Sequence, residues 1–219
     1  MPEFDSGCVD CPRLASHLSH VRECYPHYYA RPVPPFGDPR ARLLIVGLAP
    51  GKHGANASGR PFTGDYAGIL LYQTLHKFGF ADRPESLSAK DRLTLKNCRI
   101  TNAVKCLPPE NKPTSKEITN CNRYLRSELE GLTASSVILA LGHIAHKAVL
   151  YALKLKQSHY AFAHCSHYVL PNGSYLLDSY HCSRYNTQTK RLTAVMFEEI
   201  FTKAGKLLSE QSSLTPDAS

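Results

Sequence analysis

Arg42-Leu-Leu-Ile-Val-Gly-Leu48 runs without alternation into Ala49-Pro50-Gly51. An unbroken stretch of branched apolar side chains ending in Pro and Gly fits a strand buried on both faces, the condition found in parallel sheets. Working outward, the same signal recurs in Val137-Ile-Leu-Ala-Leu-Gly142 and Tyr175-Leu-Leu-Asp-Ser-Tyr180, and Arg99 to Val104 supplies a further strand. Helical periods separate them. From Asp65, the positions Ile69, Leu70, Leu75 and Phe78 suit a helix that stops at Gly79. Thr114 and Glu117 have capping-box spacing, and Ile118, Cys121, Leu125 and Leu129 follow on one helical face. Further helices are predicted near Leu14 to Cys24, from His143 to Leu155 and from Leu192 to Ala204. Strands alternating with helices predict an α/β fold whose parallel sheet is covered on both faces, with ligands beyond the carboxyl ends of the strands. That rule singles out the loops after Leu48, Val104 and Tyr180.

The chain has 219 residues, which predicts one domain over 1–208 and a polar, disordered tail over 209–219. Apolar runs are far shorter than a bilayer needs, and the first residues, Met-Pro-Glu-Phe-Asp, lack a secretory signal, so a cytoplasmic protein without membrane contact is expected. Basic side chains outnumber acidic ones by 26 to 18, a net charge of +8 that makes a polyanion a plausible partner. The excess is local. Ser179 to Thr193 carries Arg184, Lys190 and Arg191 and Thr94 to Lys105 carries Lys96, Arg99 and Lys105, neither with a carboxylate. Phosphate contacts require such stretches.

Eight cysteines in a reducing compartment favour metal binding or catalysis over disulfides. Cys8 and Cys11 are two residues apart, and Cys106 and Cys121 are separated by fourteen. Four thiolates from two segments suit zinc or an iron–sulfur cluster alike, against the plainer reading of small buried side chains. Cys24, Cys98 and Cys165 have no such spacing and read as ordinary thiols, and His143, His146, His164 and His167 as surface or loop histidines. A zinc deaminase is excluded, because no proline precedes Cys8 and no histidine is followed two residues later by glutamate.

Gly47-Leu-Ala-Pro-Gly51-Lys-His53-Gly-Ala-Asn56-Ala-Ser-Gly-Arg60-Pro-Phe62-Thr-Gly64-Asp65 is too long and glycine-rich for a plain connector, yet it holds neither a P-loop nor a dinucleotide fingerprint. After the last strand comes His181-Cys-Ser183-Arg-Tyr-Asn186. Together with Thr101-Asn-Ala-Val-Lys-Cys106 and the cysteine quartet, in this order, these segments resemble the uracil-DNA glycosylase superfamily, in particular its family 5 (type b) branch. The resemblance implies a three-layer α/β/α sandwich with a central four-stranded parallel sheet. It also implies a monomer that removes uracil from DNA in the cytoplasm at the nucleoid, and a [4Fe-4S] cluster on Cys8, Cys11, Cys106 and Cys121. Tolerance of other deaminated bases such as hypoxanthine belongs to the same expectation. Two positions depart from the wider superfamily: Ala49 stands where other branches carry Asp or Asn, as in family 5, and Cys182 replaces the usual proline.

Breaking the bond between sugar and base builds positive charge on the sugar and negative charge on the leaving base. On the family pattern Asp65 faces the first and orients water, and His181 donates to the second as a neutral imidazole. Asp65 also has a plainer role available, as the cap of the following helix. A base held for chemistry must leave the duplex. Asn102 can then pair with its edge and is placed with the catalytic set, and Phe62 can stack on its face. Ala49, Gly51, His53 and Asn56 complete the expected substrate contacts, and Arg60, Ser183, Arg184, Tyr185, Lys190 and Arg191 the DNA contacts. The competing readings are a non-enzymatic iron–sulfur or zinc DNA-binding module and a relative acting on a small nucleobase-containing substrate.

Overall fold

Six strands form one mixed sheet in the computed structural model, which describes residues 4–209. In chain order they are β1 (Phe36–Gly37), β2 (Leu43–Gly47), β3 (Cys98–Asn102), β4 (Val137–Leu141), β5 (His167–Val169) and β6 (Tyr175–Ser179). Across the sheet they run β1-β3-β2-β4-β6-β5. The four strands predicted from sequence are the parallel centre, β3-β2-β4-β6. Every residue of β2, β4 and β6 is buried, which is why their sequences show no alternation. The expected four-stranded sheet is extended by antiparallel β1 on one edge and β5 on the other. With two and three residues, neither is long enough to carry a period in the sequence.

Seven α-helices accompany the sheet among the described residues: α1 (Pro12–Cys24), α2 (Ala55–Ser58), α3 (Tyr66–Lys77), α4 (Ser115–Glu130), α5 (His143–Ala152), α6 (Arg184–Gln188) and α7 (Ala194–Ser209). Alternate residues of β2 feed two cores. Leu43 and Ile45 meet Leu71, Leu75, Phe197 and Phe201 of α3 and α7, whereas Leu44 and Val46 meet Leu125, Leu129 and Val149 of α4 and α5. The third apolar cluster seats α1, through Leu14, Leu18 and Val21, on Val104, Leu107 and Tyr124. The capping box of α4 is formed: Glu117 N–H donates to Thr114 Oγ1 at 3.3 Å, and Thr114 N–H to Glu117 Oε2 at 2.7 Å. Arg13 grips the same carboxylate with two bonds of 2.8 Å, tying the start of α1 to the start of α4.

Some expectations are corrected. The buried stripe of α3 is Ala67, Gly68, Leu71, Tyr72 and Leu75, which leaves Ile69 57% exposed. Ser209 is the last residue of α7 rather than the first of a tail, and the rest of the expected tail lies outside the described residues. Among the described residues, no helix is long and apolar enough to cross a membrane.

Candidate active site

The segments that leave β2, β3 and β6 at their carboxyl ends surround a cavity of about 450 Å³, with Ala49, Phe62, Asp65, Asn102 and His181 in its wall. Asn102 closes β3 beside Gly47 of β2, its register partner. A side chain at 47 would strike both the Asn102 amide and the Phe62 ring, so glycine is what lets all three share the space. Asn102 is only 4% exposed, and its amide makes no hydrogen bond to protein among the described residues. Its donor and acceptor are free for a ligand.

Asp65 occupies the N-cap position of α3 with an extended backbone, yet its side chain makes no capping bond to that helix. Instead Oδ2 accepts the Ala55 N–H at 3.0 Å, at the first residue of α2. A Cβ on Gly51 or Gly54 would overlap the carboxylate, so the loop backbone lies directly against it. Burial pushes the Asp65 carboxyl above its ordinary value, against the opposing pull of the Ala55 N–H and nearby His53.

His181 lies opposite, its ring stacked near Phe62 with centroids 6.0 Å apart and planes at 26°. Burial pushes its pKa down to about 4, so the imidazole is neutral near pH 7 and keeps one N–H to donate. Phe62 has a left-handed backbone, φ 57°, in a turn where Gly68 lets α3 press against the Phe62 carbonyl. Cys182, which stands where the resemblance leads one to expect proline, is fully buried. Two hydrogen bonds brace this turn: Asn186 Nδ2 donates to the His181 carbonyl at 2.8 Å, and Asn186 N–H to Ser183 Oγ at 3.4 Å.

Other predicted residues are placed differently. Asn56 is fully buried, its amide nitrogen bonded to the Lys52 carbonyl at 3.4 Å, and it does not line the cavity. Arg60 is corrected from DNA contact to core: it is 5% exposed, paired with Asp91 at 2.7 Å and set over the Phe36 ring at 4.4 Å. His53 stands outside the cavity wall, its Nδ1 sharing a 2.9 Å bond with the Tyr28 hydroxyl. Ser183 and Arg184 line the cavity, while Tyr185, Lys190 and Arg191 are exposed beyond it. His146 is also corrected: it is buried, with Nδ1 2.8 Å from Asp178 and Nε2 3.0 Å from the Tyr160 carbonyl. The cavity gains Tyr66 and Asn111, neither singled out by sequence. Tyr66 directly follows Asp65, and Asn111 sits in the Pro-Glu-Asn-Lys-Pro turn beyond β3, so both lie in segments the strand-end rule had marked.

Cys8, Cys11, Cys106 and Cys121 line one small cavity under α1, with Leu14 and Tyr124. Donors meet three of the sulfurs: Lys105 N–H to Cys121 at 3.2 Å, Asn120 Nδ2 to Cys11 at 3.7 Å and the Arg123 guanidinium to Cys8 at 3.5 Å. Burial pushes the thiols of Cys11, Cys106 and Cys121 up, so thiolates there require a cationic partner. Among the described residues no three His, Cys, Asp or Glu side chains are gathered for a single metal ion.

The profile of the Uracil DNA glycosylase superfamily matches residues 34–205, and the chain belongs to that superfamily. Within it, the chain is 48% identical over 207 residues to the type-5 uracil-DNA glycosylase of Thermus thermophilus, covering 92% of this chain and 94% of that one. It is 41% identical over 202 residues to the type-5 enzyme of Pyrobaculum aerophilum, covering 90% and 88%. The crystal structure of wild-type Pedobacter heparinus SMUG2 is similar at TM-score 0.49 and 16% identity, over 94% and 93% of the two chains.

Proposed function

We propose that this protein is a monofunctional uracil-DNA glycosylase of the type-5 kind, hydrolysing the bond between uracil and its sugar and leaving an abasic site. The observation that carries the reading is the meeting of Asp65, Asn102 and His181, from three segments at the carboxyl side of the sheet, in one cavity. A flipped base stacks on Phe62 and pairs its edge with the Asn102 amide. Neutral His181 donates to the uracil oxygen as negative charge develops there, and ionised Asp65 faces the sugar cation and holds the attacking water. A cavity of about 450 Å³ is of drug-binding size, which supports acceptance of bicyclic hypoxanthine as well. Exposed Arg184, Lys190 and Arg191 supply phosphate contacts, and Ser183 and Tyr185 flank them.

Cys8, Cys11, Cys106 and Cys121, two half-buried and two buried, share one cavity and meet three sulfur-directed donors, which supports the [4Fe-4S] cluster that the family resemblance implies. When bound, the cluster supplies a cross-link between the leader and the β3–α4 segment and takes no part in the chemistry. The protein works as a monomer in the cytoplasm, at the nucleoid. Alkali-labile breaks at uracil in duplex DNA, accompanied by broad violet absorbance and four irons per chain, are expected; uncut DNA contradicts the activity. In Cys106→Ser, absorbance and soluble yield should fall together.

A further inference from the structure

Residues 25–30 lie as a strap across the loop that carries Gly51, Gly54 and Ala55. Tyr29 N–H donates to the Ala57 carbonyl at 3.0 Å and Ala30 N–H to the Asn56 carbonyl at 2.9 Å, joining the strap to α2 backbone to backbone. Alongside, the Tyr28 hydroxyl and His53 Nδ1 share their 2.9 Å bond, and Tyr28 stacks on Tyr25 with ring centroids 4.6 Å apart. Lys52 Nζ stands 4.9 Å over that Tyr25 ring. On its other side the same loop wraps Asp65: Gly51 and Gly54 touch the carboxylate and Ala55 donates to it. The strap is continuous with α1, and Tyr25, Tyr28 and Ala49 pack against the apolar cluster that includes Cys106 and Cys121.

We propose that Tyr28 is a positioning residue for Asp65: by holding His53 it fixes the 51–55 loop in the arrangement that aims the Ala55 N–H at the carboxylate. The inference deepens the glycosylase reading and rests on Asp65 acting as its water-orienting carboxylate. The titratable and charged groups around Asp65 are His53 on the loop, Cys182 nearby, and Tyr66, His181 and Arg184 on the cavity wall. Of these, Tyr28 bonds His53. Loosening that anchor withdraws the Ala55 donor from the ionised form, so Asp65 holds its proton to higher pH.

Tyr28→Phe deletes the hydroxyl and keeps the ring that stacks on Tyr25. In the full-length, cluster-loaded protein, carboxyl-carbon NMR should show Asp65 titrating at higher pH than in wild type. The acid limb of single-turnover excision should move with it, and the rate at neutral pH should fall about tenfold with DNA affinity held within about twofold. Added to Asp65→Asn, the substitution should cause no further loss, because both act on one group. An unmoved titration, or losses that multiply in the double variant, overturns the proposal. So does a drop in DNA affinity equal to the drop in rate, which makes the strap a DNA contact instead. Wild-type protein that releases no uracil refutes the glycosylase reading, while the Asp65 titration still tests the anchor by itself.

Discussion

Burial works against the charged form of both Asp65 and His181, and because one is an acid and the other a base the two make opposite pH predictions. A carboxyl whose folded pKa is raised binds its proton more tightly folded than unfolded, so ionising it at neutral pH opposes folding. Asp65→Asn should therefore melt at or above the wild-type temperature while excision slows by about a hundredfold or more. Calorimetry beside single-turnover kinetics separates this from a structural cap, whose loss would lower the melting point without slowing the chemistry. His181 has a folded pKa of about 4 against an ordinary 6.5, so the unfolded chain takes up its proton first as pH falls. Wild-type stability should decline between those values, and His181→Ala should remove that part of the decline in urea titrations at successive pH values. Losing one donor to a developing oxyanion costs on the order of a hundredfold in rate, so the same variant should show at least that loss on uracil, measured in single turnover.

At the level of elements, the long ones were legible in the sequence and the short ones were not. Leu43 to Gly47 and Val137 to Leu141 announce themselves because both their faces are buried, and Thr114 with Glu117 marks the start of α4 by chemistry that only a helix end uses. β1, β5, α2 and α6 span between two and five residues, too few for any period, and their neighbours impose their conformation. The same division runs through the site. Asn102 and His181 stand at or just beyond strand ends and Asp65 closes the loop after β2, all in places the sheet rule marks, whereas Arg60 looked like a loop cation because its partner Asp91 is 31 residues away. Burial pushes Asp91 up, but Arg60 and the N–H groups of Leu87, Ser88 and Leu93 outweigh it and hold the carboxyl down at about 2. That folded value lies below the ordinary 3.8, so the pair stabilises at neutral pH and its contribution fades as pH falls from 3.8 towards 2. Arg60→Ala, which leaves Asp91 without its cation, should cost about 3 kcal/mol in urea unfolding and leave the salt dependence of DNA binding unchanged.

Over the whole molecule, charge and connectivity matter more than any single contact. The net charge of +8 predicts DNA affinity that falls steeply with salt. Lys190→Ala should lower the slope of log K against log salt by about 1, and a second such step should follow with Arg191→Ala, as read by fluorescence anisotropy. Unchanged slopes would remove that segment from the DNA interface. The docking of α1 also bears on how the chain is made. Protein leaves the ribosome from its amino-terminal side, so α1 appears before every strand of the sheet. Its partner carboxylate is 104 residues later, at Glu117, and Cys121 comes later still. Until Val104, Leu107 and Tyr124 have all been made, Leu14, Leu18 and Val21 lack the full surface that covers them, so the nascent chain exposes an apolar helix face. His181, proposed to act on the base, follows Asp65 and Asn102 in the chain and comes just after β6, the strand that pairs with β4. A chain broken off before Tyr175 holds every residue that α1 packs on but lacks β6 and the His181 that follows it, so on the proposed mechanism it should release no uracil.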